Sequence, residues 1–555
     1  MNLSSSSLLT TFFLLVLFTE SGFAQESGKW GEVHGNVQFD AQYYNPDSAI
    51  GAPPVPEKML MNGFTNLIYT KGKFQVGIRY ENYLNALQGF DTRYQGQGIT
   101  YRYATFDADF LTITVGNFYE QFGSGMIFRS YEERGLGLDN AMDGARVKAH
   151  VLGGVYMTAL IGRQRSFFDY GEGIVRGFDG EINLNETFKG IAESKLKATI
   201  GGSFVSKYQK DEDPDFDLPE NVGAWAARAS LLYSGFNLSG EYVSKINDPQ
   251  ATNAFLHEGQ LRKNYNSGSG ALATLAYSRK GLGIVIGAKR IDNMDFRSDR
   301  TATGFNLNVN YLPALTKQHT YQLAASLYPY ATQPNGEWAF QGEVSYKVPS
   351  KSLVGGKYGI GLVFNYSEVH GLVNTVDEAG SGYTNNFFEV GDLYFRDINI
   401  EIGKKFNKKM KLVGKYLNVV YNKDVVQGLV GYGTIYANIA VLDFTYKVTT
   451  HHSLRLEVQG LWTKDRADQG DWAMALLEYQ WSPHLFVAVT DQWNYGNSHH
   501  EDRLHYPSIT VGYIHNASRI TLGYGRQRAG IFCVGGICRN VPASNGVSLS
   551  ITTSF

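Results

Sequence analysis

Asn545-Gly546-Val547-Ser548-Leu549-Ser550-Ile551-Thr552-Thr553-Ser554-Phe555 closes the chain. Val547, Leu549, Ile551 and Phe555 fall on one face, with Thr553 as its polar member. Ser548, Ser550, Thr552 and Ser554 fall on the other. Successive residues of a strand point to opposite sides, so the segment demands one apolar and one wet surface. The same pattern recurs upstream. Val33, Gly35, Val37, Phe39, Ala41 and Tyr43 oppose Glu32, His34, Asn36, Gln38, Asp40 and Gln42. Phe74, Val76, Ile78 and Tyr80 oppose Gln75, Gly77, Arg79 and Glu81, and Phe305, Leu307, Val309 and Tyr311 oppose Asn306, Asn308 and Asn310. The charges and amides of the second face need water, and the first face then needs lipid or a core.

Composition selects lipid. The 555 residues include 36 Tyr, 33 Phe and 62 Gly but only 14 Pro, with a formal net charge of −2. So many aromatics in a soluble protein would bring helical periodicity or long apolar core runs, and neither is present. Membrane barrels hide their hydrophobicity by alternation, so their average hydropathy is unremarkable. The near-zero charge argues against nucleic acid as a partner. Residues 8–18 form an apolar run of signal-peptide length, and Gly22 and Ala24 suit cleavage before Gln25, although no Lys or Arg precedes the run. The expected organisation is a signal peptide at 1–24, a short periplasmic leader at 25–31 and a barrel at 32–555, with no N-terminal plug domain. The two cysteines, Cys533 and Cys538, are then expected to pair in an oxidising compartment.

A C-terminal strand ending on Phe resembles the terminal signal of bacterial outer-membrane β-barrels. That resemblance implies that Phe555 is the assembly signal read by the barrel-assembly machinery. Connections alternate in length as such barrels require. Short, often basic turns fall at Lys71-Gly72-Lys73, Ser234-Gly235, Arg279-Lys280-Gly281, Asn407-Lys408 and Trp481-Ser482-Pro483-His484, and long polar loops span 45–58, 123–143, 210–220, 247–266 and 370–386. The fold expected is all-β: a large transmembrane antiparallel barrel with long extracellular loops. Its strand number is even, about 24 to 26 at roughly 9–11 residues per span. Residues 304–336 hold either two extra strands or one ladder plus an inserted segment around 313–330.

A lumen of that width needs a constriction. The inward-folding candidate is the loop at 116–144, whose glycines and aromatics suit compact packing. Its carboxylates Glu132, Glu133, Asp139 and Asp143 would confront Arg79, Arg102, Arg146 and Lys148, each placed inward because its neighbours at even spacing are apolar. An acidic inward loop facing a basic wall resembles the eyelet of general porins, where opposed charges filter permeants. The alternative is a solvated surface loop.

Other clusters carry less. The acidic run at 211–217 lacks the Gly and terminal Glu of a calcium loop. His499, His500, Glu501, Asp502 and His505 fit no zinc spacing. Cys533 and Cys538 are expected to staple a hairpin tip. No Ser, His and carboxylate set stands out, so no catalytic residues, metal or cofactor are expected, and the chain is read as no enzyme.

Across the mature chain the pattern resembles a porin-like outer-membrane barrel family of Bacteroidota with no assigned activity. The carriers are Gly116 to Gly125, the Pro313-Ala314-Leu315-Thr316-Lys317-Gln318-His319-Thr320-Tyr321 stretch with Tyr328-Pro329-Tyr330, and the hairpin from Cys533 to Pro542. The resemblance implies fold and location. Two functional classes follow: a pore for small hydrophilic solutes, or a plugged structural barrel serving a secretion or assembly complex. The partners expected are outer-membrane lipid and lipopolysaccharide, the assembly machinery, and a protein partner in the second class.

Overall fold

The computed structural model describes residues 30–214, 217–250, 252–253, 255–257 and 260–555. The expected signal peptide and most of the leader lie outside the described residues. Among those described, twenty-four antiparallel strands form one sheet. The first half comprises β1 (Glu32–Tyr44), β2 (Met59–Lys71), β3 (Phe74–Leu84), β4 (Gly96–Ala108), β5 (Leu111–Phe118), β6 (Met142–Leu152), β7 (Val155–Ser166), β8 (Asp169–Asn183), β9 (Leu196–Tyr208), β10 (Asn221–Tyr233), β11 (Phe236–Lys245) and β12 (Gly268–Arg279). The second comprises β13 (Leu282–Asp292), β14 (Gly336–Val348), β15 (Ile360–His370), β16 (Leu393–Lys405), β17 (Met410–Asn422), β18 (Thr434–Lys447), β19 (His452–Thr463), β20 (Trp472–Trp481), β21 (Leu485–Trp493), β22 (Ser508–His515), β23 (Ser518–Gln527) and β24 (Ser544–Ser554).

Each strand pairs with the next, and β24 pairs with β1 from Asn36↔Ser554 to Tyr44↔Gly546. The sheet therefore closes on itself and leaves no free edge, the arrangement that satisfies every backbone ladder. Phe555 seals the seam: its N–H donates to the Gly35 carbonyl and its carbonyl accepts from the Gly35 N–H, both at 2.9 Å.

One end of the barrel carries most of the short turns, the start of β1 and Phe555, and the other carries most of the long loops. Side-chain alternation behaves as the sequence demands on the outside. Val76, Ile78 and Tyr80 of β3 are exposed, whereas Arg79 and Glu81 are buried on the lumenal side. Exposed aromatics form two outer bands. Tyr43, Phe204, Trp225, Tyr242, Tyr436 and Trp462 lie toward the loop end, and Phe74, Tyr233, Phe236, Tyr346 and Trp481 toward the turn end.

The lumenal face is graded. On β10, Val222, Ala224 and Ala226 near the loop end are buried, Arg228 and Ser230 are half-buried, and Leu232 at the turn end is exposed. On β16, Phe395, Asp397 and Asn399 are buried whereas Lys405 is exposed. Something fills the loop half of the lumen and leaves the turn half wet. Part of the filling is the connection 293–335, which is inserted chain and not two further strands. The alternation at Phe305 to Tyr311 is not a wall strand: Leu307 and Val309 are buried, and Arg297↔Asn308 is an isolated bridge. Period-two patterning reports a two-sided surface, and here the apolar side meets protein, not lipid.

Candidate functional site

Three connections, 119–141, 293–335 and 528–543, supply much of the filling. The first enters from β5. Its Ser124 N–H donates to Glu241 on the lumenal face of β11 at 2.8 Å. Met126, Ile127 and Phe128 are fully buried with Phe122 against Val175, Val205, Val222 and Val243, which line the lumen on β8 to β11. The glycines and aromatics that made this loop conspicuous are thus its means of packing.

Behind that apolar cluster lies an ion-pair knot. Arg79 of β3 binds Glu81 at 2.7 Å, Glu132 at 2.9 Å and Asp139. Arg165 of β7 binds Glu81 and Asp139, each at 2.6 Å. Arg134 binds Glu132 at 2.7 Å, so three guanidinium groups balance three carboxylates. Glu81, Arg165, Arg79 and Asp139 are 1%, 2%, 3% and 9% exposed. Tyr119 donates to Asp139 Oδ1 at 3.0 Å, and the Ala141 N–H donates to the same oxygen at 3.0 Å. Glu81, Glu132 and Asp139 are the one carboxylate group among the described residues close enough to hold a cation. Each of them already accepts from arginine, so the group is a charge-balanced clasp between loop and wall.

The residues expected at the constriction divide. Arg79 meets Glu132 and Asp139. Arg146 and Lys148 point inward but meet Glu120, at 3.2 and 2.6 Å. Glu133 stays within the loop and accepts from the Gly135 N–H at 3.3 Å. Arg102 and Asp143 depart from the inward placement expected of them. The β3–β4 register runs Arg79↔Tyr101 and then Tyr80↔Ile99, so a bulge at Thr100 resets the alternation and sets Arg102 opposite the outward Ile78. Asp143 follows the fully buried Met142 and therefore faces outward, where it lies 3.4 Å from Arg102. The sequence reading missed Arg165 for the same reason, because register also shifts between Arg163 and Arg165. Glu81 was legible as inward, but nothing in its spacing distinguished it.

The second connection, 293–335, crosses the other half of the lumen. Lys317 pairs with Glu343 on β14. His319 binds Asp397 on β16 at 2.7 Å and lies 3.1 Å from the Lys415 ammonium on β17. The short helix Gln322–Ser326 sets the Leu323 N–H on Gln459 of β19 at 3.0 Å. Tyr328 and Tyr330 pack with Tyr421, Phe395 and Leu461. Tyr330 donates to Glu337 at 2.5 Å, and Lys289 reaches the same carboxylate at 2.6 Å. Burial, with Glu337 beside it, holds the Tyr330 hydroxyl protonated well above the ordinary phenol range, and burial beside Asp468 does the same at Tyr328.

The third connection contains the disulfide. Cys533 and Cys538 are bonded across the hairpin Gly530–Val534 and Ile537–Val541. The hairpin tip points into the plug: Tyr311 donates to the Gly535 carbonyl at 2.7 Å, and the Thr332 N–H donates to the Gly536 carbonyl at 3.1 Å. Gly536 has φ +88°, and a Cβ there would sit 2.6 Å from the Thr332 hydroxyl. Arg539 donates to the Gly135 carbonyl at 2.9 Å and so ties the third connection to the first.

The remaining clusters come to little. Asp211 accepts from the backbone N–H groups of Leu218 and Asp213, which holds its carboxyl below the usual range, and residues 215–216 lie outside the described set. His505 binds Asp491 at 2.7 Å, while the His499 ring lies 3.8 Å from Glu501, so these two histidines do not converge.

A family model described as a family of unknown function, DUF6029, matches residues 5–555. The chain belongs to DUF6029. No curated protein matches it. Among solved structures, this DUF6029 member is similar to the translocation pore of the P pilus usher PapC, at 9% identity over 94% of this chain and 99% of that one, with a TM-score of 0.45. It is also similar to the siderophore receptor PirA from Pseudomonas aeruginosa, at 10% identity over 95% of this chain and 80% of that one, with a TM-score of 0.41. The closed barrel rests on its own strand pairing.

Proposed function

We propose that this DUF6029 member is an outer-membrane barrel held shut by its own loops, a scaffold that offers a wet vestibule at its turn end to a periplasmic partner. The exposed apolar outer face with two aromatic bands suits a bilayer with an interface at each rim, and strand alternation with long loops at one end suits the outer membrane. The observation that carries the closed state is the clasp. Arg79 and Arg165 are spent on Glu81, Glu132 and Asp139 in a buried setting, so these charges do not line a water-filled gap as an eyelet's would. A buried, balanced set of ion pairs opens only at the cost of leaving charges unpaired.

A freely conducting pore for small hydrophilic solutes is the less favoured reading. It returns as a gated pore if a partner displaces the loops. Purified, full-length protein in a planar bilayer distinguishes the two. Closure predicts no steady ohmic steps at moderate voltage, and regular steps from the wild-type protein would overturn the scaffold reading.

A further inference from the structure

The turn-end mouth carries positive charge that neither the plug nor the wall accounts for. Arg279 and Lys280 lie at the β12–β13 turn, Lys347, Lys351 and Lys357 at the β14–β15 connection, Lys404, Lys405, Lys408, Lys409 and Lys411 around the β16–β17 turn, and Lys447 at the end of β18. No Asp or Glu occurs in residues 275–291, 345–367, 402–423 or 444–456. The turns there are one-signed.

A cleft of about 650 Å³ opens among them, lined by Arg279, Lys347, Tyr358, Lys404, Lys405 and Lys411 and by no carboxylate. That volume suits a bound ligand group. Gly283, Gly361 and Gly403 also line it, and Gly361 pairs with both Lys347 and Gly403, so absent side chains leave the hollow. Lys405 stands directly opposite Lys411 in the β16–β17 register. Like charges opposed across a ladder are destabilising, so this pair is kept against the interest of the fold. Among the described residues, Lys347, Lys405 and Lys411 make no ion pair. Lys404 is held by the carbonyls of Val354 and Gly355, the latter at 2.8 Å.

Lys347 follows the outward Tyr346, and Lys411 shares its face with the buried Val413 and Lys415, so these ammonium groups look into the mouth and not toward lipid. Headgroups outside the wall do not reach them. The ligand must come through the opening, and it must bring anionic oxygens. The charge also extends past the cleft along four connections, which is longer than one small anion and matches a string of carboxylates.

We propose that this basic mouth binds an acidic polypeptide segment of a periplasmic partner, with Lys347, Lys405 and Lys411 as its central contacts. The proposal names the chemistry of the partner in the scaffold reading and rests on that reading's orientation. It does not need the plug to be closed, so binding and conductance fail separately.

The test is fluorescence anisotropy of a labelled Asp/Glu-rich peptide with the full-length barrel in uncharged detergent, beside a twin peptide carrying Asn and Gln. The acidic peptide should bind and the twin should not, and added salt should weaken binding as the Debye length shrinks. The joint variant Lys347→Gln, Lys405→Gln, Lys411→Gln should lose about 100-fold in affinity, from about a factor of five per exposed charge pair. Joint replacement by Arg should retain binding, and Lys71→Gln with Lys73→Gln, on the β2–β3 turn, should leave it unchanged. Heat-modifiable mobility checks that each barrel is folded, and Lys411→Gln alone serves if the joint variant is not. Failure of the wild type to bind, equal binding of the twin, or equal binding by the glutamine variant overturns the proposal. Full displacement of the peptide by millimolar inorganic phosphate overturns the polypeptide source in favour of a small-anion site.

Discussion

Replacing Asp139 by Asn should unlatch the loop 119–141 without disturbing its shape. Asp139 Oδ1 accepts from Tyr119 and from the Ala141 N–H, each at 3.0 Å, and an amide oxygen can keep both bonds. Oδ2 serves Arg79 and Arg165, the latter at 2.6 Å, and an amide nitrogen there would point donors at donors. The knot goes from three guanidiniums on three carboxylates to three on two, in a setting where Arg165 is 2% exposed. Breaking one partner of a buried ion pair costs about 3–5 kcal/mol. At about 1.4 kcal/mol per factor of ten, the open-loop population rises by roughly two to three and a half orders of magnitude. Hydrogen exchange read peptide by peptide should show faster exchange across 131–141 while the strands of the wall stay protected. Bilayer recordings should show intermittent current steps that the wild type lacks. Adding Arg165→Gln restores the charge balance and should recover part of the protection. Unchanged exchange and unchanged conductance in Asp139→Asn would refute the clasp as the element that holds the loop.

Gly536→Val should destabilise the plug by about 2 kcal/mol or more, through positive φ and the contact with Thr332, and should appear as faster exchange around 311–314 and 332 with the barrel intact. Deleting Phe555 removes two backbone hydrogen bonds at the β1–β24 seam, each worth about 1 kcal/mol. The deletion should lower the amount of heat-modifiable barrel recovered from outer membranes, and equal recovery would remove its role in assembly. Arg102→Gln should leave any current's ion selectivity unaltered, because the side chain lies on the outer wall, and a selectivity shift in the Asp139→Asn background would return Arg102 to the lumen.

Much of the wall was legible because each strand carries its own instruction. Val76, Ile78 and Tyr80 must find an apolar medium and Arg79 and Glu81 must avoid it, whatever lies across the lumen. The errors have local causes. Thr100 adds one residue against β3, and from there the parity count that set Arg102 inward is off by one. A bulge has no strong signature in a single chain, since any residue can occupy it. The stretch from Phe305 to Tyr311 alternates as cleanly as a strand, because packing one side against Met294 and Phe296 imposes the same two-sidedness as lipid does.

By itself the sequence determined that the chain closes into an even-numbered, large barrel with short turns at one end, since alternation, turn residues and loop lengths are short-range properties. It also determined the pairing of Cys533 with Cys538, which stand five residues apart. Only the tertiary structure decided what occupies the lumen. Arg165 meets Glu81 and Asp139 across separations of 84 and 26 residues, and Tyr311 meets Gly535 across 224. Those partners are chosen by the circumference and stagger of the closed wall, and no window along the chain contains that geometry.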